Sequence, residues 1–357
     1  MKHFFGSVMI TMAVALTFCN CEKRDDLLGN WKNVSTLDAR GRGGSSCFVI
    51  DGKAYIVAGS GYYKTIEYYL DTWQYDPETK SWTEFDAVPA SKGRAYGVGF
   101  ALNNKKGYYG TGYGKEGDLF KDFFEFDPSK DKGSQWVETD SFPGEPIYGA
   151  LAFTIDSVIG YVGTGMTKAL GTSNTFYSYN PEAAAGSKWE IVKNINPAKR
   201  FNGGVFILDS MAYIIGGTSN SRYVQDFERF NPSYEKGDYR WFKISMDLDD
   251  DYDYQLYHQR AVAFSINGRG YICCGSSSGL SAQSAVWEYI PFIGREQRGI
   301  WTKVASFEGS LRYSAVGFAY NEVGYVMCGQ SGTGSTSYYD DVWSFDPTED
   351  YDEKSYK

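Results

Sequence analysis

The chain has 357 residues, with 35 Lys and Arg against 44 Asp and Glu, which gives a formal net charge of −9. This acidic balance argues against nucleic acid as a partner, because nucleic-acid binding needs a basic face. Aromatic residues make up 17% of the chain and glycines number 41. That composition excludes disorder for most of the length and favours strands joined by tight turns.

The first residues have the pattern of an export signal. Lys2 and His3 supply a positive start, and residues 8–18 form an apolar run interrupted only by two threonines. A bilayer span needs about 20 apolar residues. This shorter run therefore predicts a cleaved signal peptide over residues 1–20 rather than a membrane helix.

Two cysteines, Cys19 and Cys21, follow the apolar run. The layout resembles a bacterial lipoprotein leader, in which the cysteine after the cleavage site is lipidated. We favour lipid on Cys21, because cleavage before it leaves Asn20 at the preceding position, whereas cleavage before Cys19 leaves the bulky Phe18 there. The charged stretch at residues 22–26 resembles the surface-export signal of Bacteroidetes lipoproteins.

We therefore expect a tether over residues 21–29 and an exported outer-membrane lipoprotein at the cell surface. The membrane would be contacted only through the lipid, and other outer-membrane proteins are candidate partners. A periplasmic location and a cut leader without lipid are the alternatives.

A six-residue block that contains a tyrosine and ends in glycine recurs six times in the rest of the chain. Its tyrosines are spaced 53, 53, 52, 58 and 54 residues apart. They are Tyr55, Tyr108, Tyr161, Tyr213, Tyr271 and Tyr325. An aromatic alternation ending in proline follows each block, usually as Asp-Pro or Asn-Pro. Five units then have a lone tryptophan: Trp82, Trp136, Trp189, Trp241 and Trp301.

Each unit predicts four short strands. An apolar run forms the first, the tyrosine block the second, the aromatic alternation the third and the tryptophan segment the fourth. The Asp-Pro pair starts a turn, and the last glycine marks a place that needs positive φ or excludes a Cβ. The sixth unit lacks its tryptophan, whereas Trp31 precedes the first unit without a partner. We therefore predict that the strand around Trp31 completes the sixth unit and closes a ring, which removes the exposed sheet edges.

Units of about 50 residues with these three anchors resemble the kelch repeat. The resemblance covers residues 30–348 and implies an all-β, six-bladed propeller with four antiparallel strands per blade, related to the galactose oxidase propeller. Residues 349–357 are expected to be a polar tail. The copper site of galactose oxidase needs more than one histidine, and the mature chain offers His258 alone. We expect no metal and no cofactor.

The connections between the second and third strands are long and rich in Gly, Ser and Tyr. They span residues 60–70, 113–121, 166–174, 218–225, 276–284 and 330–340. In the kelch family these loops share one face of the propeller. Adaptable polar groups beside rigid aromatic rings suit recognition of sugars or peptides. The alternative is that such loops are simply what propellers ordinarily have.

An arginine precedes the repeat tyrosine by 11 to 14 residues in five units. These are Arg42, Arg94, Arg200, Arg260 and Arg312. The third unit has Tyr148 near that place. In a closed ring these positions would converge on the axis as a positive pocket for an anionic ligand. They resemble the arginines with which kelch adaptors hold acidic peptides. The alternative is a structural role, in which each arginine pairs with an Asp or Glu of a neighbouring blade.

Two further groups of residues have simpler interpretations. Acidic residues alternate in one insertion at Asp247, Asp249, Asp251 and Asp253, but the glycine and glutamate of a calcium loop are missing. We expect a solvated loop. Cys274 and Cys328 occupy equivalent places in adjacent units, where either a disulfide or two buried small residues would fit. We favour buried small residues.

The function we expect is a non-catalytic surface module that binds a glycan, an anionic small molecule or an anionic peptide. One alternative is an enzyme, because kelch propellers exported by bacteria include sialic-acid mutarotases and epimerases. That chemistry needs a general acid or base, for which Glu145 and His258 are the candidates. The other alternative is a structural accessory of an outer-membrane complex.

Overall fold

The computed structural model describes residues 27–169, 171–193, 197–232, 241–244, 256, 258–277, 281–291, 299–332 and 337–352. These residues form 30 strands, and six antiparallel sheets of four strands each make the blades of a propeller. No helix within these ranges has the length and hydrophobicity that crossing a membrane requires. The all-β, six-bladed prediction is confirmed.

The strands follow one another outward from the axis in every blade. Blade 1 contains β2 (Ser46–Ile50), β3 (Lys53–Tyr63), β4 (Thr65–Asp76) and β5 (Ser81–Phe85). Blade 2 contains β6 (Val98–Leu102), β7 (Lys106–Gly110), β8 (Phe123–Phe126) and β9 (Trp136–Thr139). Blade 3 contains β11 (Leu151–Ile155), β12 (Ile159–Gly163), β14 (Phe176–Tyr179) and β15 (Trp189–Ile191).

The second half of the ring repeats this order. Blade 4 contains β16 (Gly204–Leu208), β17 (Met211–Ile215), β20 (Phe227–Phe230) and β21 (Trp241–Ile244). Blade 5 contains β22 (Val262–Ile266), β23 (Arg269–Cys273), β24 (Val286–Ile290) and β25 (Ile300–Val304). Blade 6 contains β26 (Val316–Tyr320), β27 (Val323–Met327), β30 (Asp341–Asp350) and β1 (Leu28–Thr36).

Three two-stranded ribbons lie outside the blades. They are β10 (Ile147–Tyr148) with β13 (Met166–Thr167), β18 (Thr218–Ser219) with β19 (Arg222–Tyr223), and β28 (Gln330–Ser331) with β29 (Ser337–Tyr338).

Blade 6 closes the ring as predicted. Strand β1 pairs antiparallel with β30, and Trp31 lies opposite Phe345 in the register. Its indole is fully buried and donates from Nε1 to the carbonyl of Ala305 at 3.3 Å. Strand β30 continues through Pro347 to Asp350, so residues 349 and 350, expected to begin the tail, belong to the blade.

A sixfold layer of stacked rings fills the space between blades. A phenylalanine of each innermost strand lies nearly parallel to the repeat tyrosine of its own blade, with centroids 4.7–5.8 Å apart. They are Phe48, Phe100, Phe153, Phe206, Phe264 and Phe318. The residue before the tyrosine of the following blade is glycine in four blades and alanine in two. The glycine makes room for the phenylalanine ring, since a Cβ on Gly107 would lie 2.2 Å from Phe48. The Gly-Tyr pair therefore has a packing role that the sequence analysis did not identify.

The glycine that ends each second strand has a positive φ, as predicted, between 80° and 108°. The residue before it is also left-handed, at 58–66°, although only one of the six is glycine. Cys274 and Cys328 hold two of these places as buried free thiols, which confirms the small-residue interpretation. Burial raises the pKa of the Cys328 thiol to about 12.

The predicted loop over residues 60–70 is instead a long two-stranded ribbon. Strands β3 and β4 stay paired as far as Tyr63 and Thr65, and the chain reverses at Lys64, whose φ is 63°. Tyr62 and Tyr63 at the tip are 61% and 52% exposed. Blade 1 therefore projects beyond its neighbours on the loop face.

Candidate functional site at the axial mouth

Six backbone hydrogen bonds form a closed ring around the propeller axis. One residue of each blade donates its N–H to the carbonyl of its counterpart in the preceding blade, over N–O distances of 2.6–2.9 Å. The residues are Gly44, Tyr96, Gly149, Asn202, Arg260 and Ser314, and all six have φ between 55° and 66°. We call this the axial ring. Its side chains, with the neighbouring loops, form the mouth of the channel.

A second set of hydrogen bonds shows which residues are equivalent. The glycine that ends each second strand donates its N–H, at 2.7–3.0 Å, to the residue two places before the axial ring in the following blade. The acceptors are Arg42, Arg94, Ile147, Arg200, His258 and Arg312. The predicted ring of five equivalent arginines is therefore wrong in one member. Arg260 lies on the axial ring itself, and His258 takes the arginine position in blade 5.

The other four arginines are 0–1% exposed and each pairs with a carboxylate of its own repeat. In three blades the contact is bidentate, with Nη2–Oδ2 distances of 2.8 Å to Asp71, 2.9 Å to Asp122 and 2.8 Å to Asp341. In blade 4, Arg200 pairs with Glu228, which is also buried. The expectation that these guanidiniums line an open mouth is therefore corrected. Their geometry supports the structural alternative, although the partner lies within the repeat.

Each of these arginines also donates to the carbonyl of the left-handed residue before the repeat glycine. Arg200 Nη1 lies 2.8 Å from the oxygen of Gly216, and Arg312 Nη1 lies 2.9 Å from that of Cys328. His258 keeps this contact, with Nδ1 2.9 Å from the carbonyl of Cys274. The guanidinium thus ties the end of the second strand to the start of the first.

Desolvation and pairing act in opposite directions on these guanidiniums. Burial alone would lower the pKa of Arg42, but the hydrogen bonds and the charge of Asp71 outweigh burial, so the pKa is raised. Burial lowers the pKa of Arg200, and Glu228 offsets this only in part. The charge of Arg200 is therefore less well compensated than those of Arg42 and Arg312, whose pKa values are raised.

Arg260 has different surroundings. Its guanidinium lies over the rings of Tyr96 and Tyr313, at 5.1 and 5.6 Å from their centroids. Within the described ranges no carboxylate lies within ion-pair distance of it, and its Nε is buried without a hydrogen-bond partner. Tyr96 belongs to the blade across the ring, so the side chain extends over the axis. The mouth thus contains a guanidinium that is not neutralised by these residues.

Aromatic side chains surround Arg260 on the loop face. Tyr148 packs against Tyr113 and Tyr96, with centroids 5.4 and 6.4 Å apart, and against Phe201 at 5.8 Å. Tyr68 continues the arc, 6.3 Å from Tyr113. Tyr148, predicted as a ligand-binding residue, therefore lies within this arc. Tyr96 and Tyr313 were not predicted.

Two phenols of the arc, those of Tyr68 and Tyr148, remain protonated at neutral pH. Burial, together with the neighbouring phenols of Tyr113 and Tyr96, raises the pKa of Tyr68 to about 12. Burial also raises the pKa of Tyr148, and the positive charge of Arg260 offsets that rise only partly. These groups can donate and accept hydrogen bonds but are poor bases.

The two candidate acid–base residues do not come together at the mouth. Glu145 is exposed in the segment before β10, whereas His258 is 1% exposed beneath the axial ring. Within the described ranges, no three His, Cys, Asp or Glu side chains are grouped as metal ligands would be. The acidic insertion with Asp247, Asp249, Asp251 and Asp253 lies outside those ranges.

Comparison with known proteins agrees with this geometry. A family model described as the Kelch motif matches residues 41–89, which is blade 1 with its entry segment. The solved structure of YjhT superposes with a TM-score of 0.67 at 14% identity, covering 86% of this chain and 96% of that one. No curated protein matches the chain. Together these comparisons and the structure define a six-bladed β-propeller with a kelch motif in blade 1.

Proposed function

We propose that the protein is a binding module for acidic sugars, whose carboxylate is held by Arg260 in the axial mouth. The observation that carries the proposal is the placement of this guanidinium, which crosses the axis with no carboxylate partner in the described chain. A guanidinium offers two parallel N–H donors to a carboxylate, the most directional recognition that a side chain provides for that group.

The tyrosine arc would supply the remaining contacts. Rigid phenol rings pack against the C–H faces of a sugar, and their hydroxyls donate to its oxygens. Tyr68, Tyr113 and Tyr148 form a continuous wall on one side of Arg260. Protonated phenols and one cation make a surface suited to binding rather than proton transfer, which favours the binding module over the mutarotase alternative.

Replacing Arg260 with Ala is expected to weaken acidic-sugar binding by about 10- to 100-fold, the loss of a charged hydrogen bond worth roughly 1.5–3 kcal/mol. Arg260→Lys should recover part of this, since it keeps the charge without the fork. Isothermal titration calorimetry with N-acetylneuraminate and glucuronate checks both values.

Lys303→Ala is the matched control, because it removes one positive charge from an exposed place on strand β25. It should leave binding unchanged. Equal binding by wild type and Arg260→Ala would refute the proposal. If the protein binds acidic peptides but no acidic sugar, the ligand of the mouth is a peptide and the proposed sugar is wrong. NMR on free N-acetylneuraminate tests catalysis in the same samples. Acceleration of anomer or proton exchange that Arg260→Ala abolishes would establish the enzyme instead.

The module would be held at the outer membrane by lipid on Cys21, at the cell surface. We expect the mature protein to partition into detergent, and Cys21→Ala to move it to the aqueous phase, because two acyl chains are needed for firm anchoring. Cys19→Ala is the control and should partition as wild type. Mass spectrometry that finds a free amino terminus at either cysteine would contradict lipidation.

A further inference from the structure

A second cavity lies on the face opposite the axial mouth, between blades 1 and 2. Its volume is about 740 Å³, within the range of small-ligand sites. Its lining residues come from the turns after β2 and β6, from the third strand of blade 1 and from the turn after β8. We call it the blade 1–2 cleft.

Blade 1 differs here from two other blades at equivalent positions. In blade 2, Lys106 pairs with Glu125, which also accepts from the hydroxyl of Tyr108 at 3.0 Å. In blade 5, Arg269 pairs with Glu288 at 2.9 Å, and Tyr271 donates to the same carboxylate. In blades 2 and 5 the cation, the carboxylate and the phenol therefore bind one another within the blade.

Gln74 takes the place of the glutamate in blade 1. Its register partner is Tyr55, as Glu125 is opposite Tyr108 and Glu288 opposite Tyr271. The amide donates to the Tyr55 hydroxyl. Lys53, the equivalent of Lys106, reaches outward instead and pairs with Asp76 at 3.0 Å. The cleft is therefore lined by a neutral amide at the position where blades 2 and 5 have a carboxylate paired with a cation.

The charges around the cleft are largely satisfied by the protein. Lys53 and Lys106 each have a carboxylate partner, and Asp127 accepts from the N–H and the hydroxyl of Ser129 at 3.0 and 2.6 Å. The two remaining charges on the lining, Asp51 and Lys105, have opposite signs. This balance disfavours a strongly anionic or cationic ligand, because either would have to displace an existing pair.

The groups left to contact a ligand in the cleft are neutral hydrogen-bonding side chains and an aromatic ring. Asn103 and Asn104 are both left-handed, at φ 54° and 52°, in the turn after β6, and Asn104 Oδ1 accepts from the N–H of Asp51 at 2.8 Å. Phe85 is partly exposed beside the cleft and is fixed edge-on against Tyr55 at 5.5 Å. Amides on a stiff turn opposite a fixed ring suit the hydroxyls and the C–H face of a pyranose.

From this geometry we infer that the blade 1–2 cleft is a second ligand site, which takes a neutral pyranose and is independent of the axial mouth. Ligand-observed NMR with methyl glucoside, galactoside and mannoside and their disaccharides tests it on the full mature chain. We expect saturation transfer to at least one of these compounds at millimolar concentration. The same compound should shift the side-chain amide signals of Gln74 and Asn104 in the protein spectrum.

Gln74→Glu is the sharpest variant, since it installs the trio that blades 2 and 5 already contain and should fold normally. The new carboxylate would recruit Lys53 and weaken the neutral sugar by about tenfold or more, the loss of one to two hydrogen bonds. Lys105→Ala, at an exposed position, should weaken it less. Ser178→Glu places the same charge at the same register position in blade 3 and should change nothing.

Three outcomes would overturn the inference: no neutral glycoside shifts the two amide signals, only charged compounds do so, or Gln74→Glu binds as wild type does. Arg260→Ala separates the two sites. It should weaken acidic-sugar binding at the mouth by about the same 10- to 100-fold, on the order of one or two charged hydrogen bonds, and leave the neutral sugar in the cleft unaffected. Loss of both ligands on Arg260→Ala would place the neutral sugar at the mouth and refute a separate cleft site.

Discussion

Removing residues 30–34 is expected to abolish the single cooperative thermal transition of the protein. These residues form the centre of β1, the outer strand of blade 6. Without them β30 becomes an exposed edge, and the indole of Trp31 no longer fills its site between Phe307 and Phe345, at centroid distances of 4.8 and 4.7 Å. Calorimetric melting of the purified variant measures the effect.

Two point variants in the same strand give a scale for the loss of stability that the deletion causes. Trp31→Ala should lower stability by about 3–5 kcal/mol, the usual cost of emptying a buried aromatic site. Lys32→Ala removes only a partly exposed ion pair with Glu349 and should cost less than about 1 kcal/mol. A deletion that melts with the same midpoint and enthalpy as the full chain would refute closure by β1.

Arg200→Ala is expected to destabilise the fold by about 3–5 kcal/mol, because it leaves a buried carboxylate without its partner. Arg200 is fully buried, and Glu228 is only 4% exposed. The variant also removes the donor to the carbonyl of Gly216, which ties the second strand of blade 4 to its first. Urea unfolding followed by circular dichroism gives the change in free energy.

Two comparisons separate a structural arginine from a binding one. The double variant Arg200→Met with Glu228→Met should recover much of the lost stability, since removing both charges leaves no unpaired charge in the core. Arg260→Ala should shift the unfolding midpoint little, because no carboxylate in the described chain depends on it. An Arg200→Ala variant that unfolds as wild type but loses ligand would reverse the two roles.

The blade architecture could be predicted because its signals are local and recur. A left-handed glycine, an Asp-Pro turn and an outer tryptophan each need only the right residue at the right interval, and six repeats make the interval visible. Closure through Trp31 could be predicted because the sixth unit has no tryptophan, whereas Trp31 precedes the first unit and belongs to none.

The placement of Arg260 was missed because the repeat tyrosine is a poor origin for counting. The turn between the first two strands has two residues in some blades and three in others, which makes spacings of 13 and 14 residues equivalent. The 11-residue spacing of Arg260 was accepted as part of the same range, although blade 5 has the two-residue turn. Counted from the inner-strand phenylalanine, the structural position is always six residues upstream. Phe264 then points to His258, and Arg260 lies two residues beyond it.

The pairing of the buried arginines is also visible as a pattern in the sequence. Four residues before the aromatic end of the third strand, blades with a structural arginine have aspartate: Asp71, Asp122, Asp226 and Asp341. In blades 3 and 5, where Ile147 and His258 replace the arginine, that place holds Thr175 and Ala285. In blade 4, however, Arg200 pairs with Glu228 rather than with Asp226. The spacing in the sequence does not show which of these two carboxylates forms the salt bridge.

The blade 1 ribbon and the blade 1–2 cleft were beyond sequence reasoning for a different reason. The segment over residues 60–70 has the same Gly, Ser and Tyr composition as the other connections between second and third strands, and only the length of its cross-strand pairing distinguishes it. The cleft depends on Gln74 facing Tyr55 where blades 2 and 5 have glutamate. That difference acquires meaning only when the strands are aligned in space.

A crystal structure of the protein with N-acetylneuraminate would show directly whether Arg260 holds the carboxylate of an acidic sugar. We expect the sugar in the axial mouth, with its carboxylate oxygens about 2.7–2.9 Å from the guanidinium nitrogens of Arg260 and its ring against the tyrosine arc. The four buried arginines should keep their carboxylate partners unchanged. A complex in which the carboxylate lies elsewhere, with Arg260 still against Tyr96 and Tyr313, would contradict this role of Arg260.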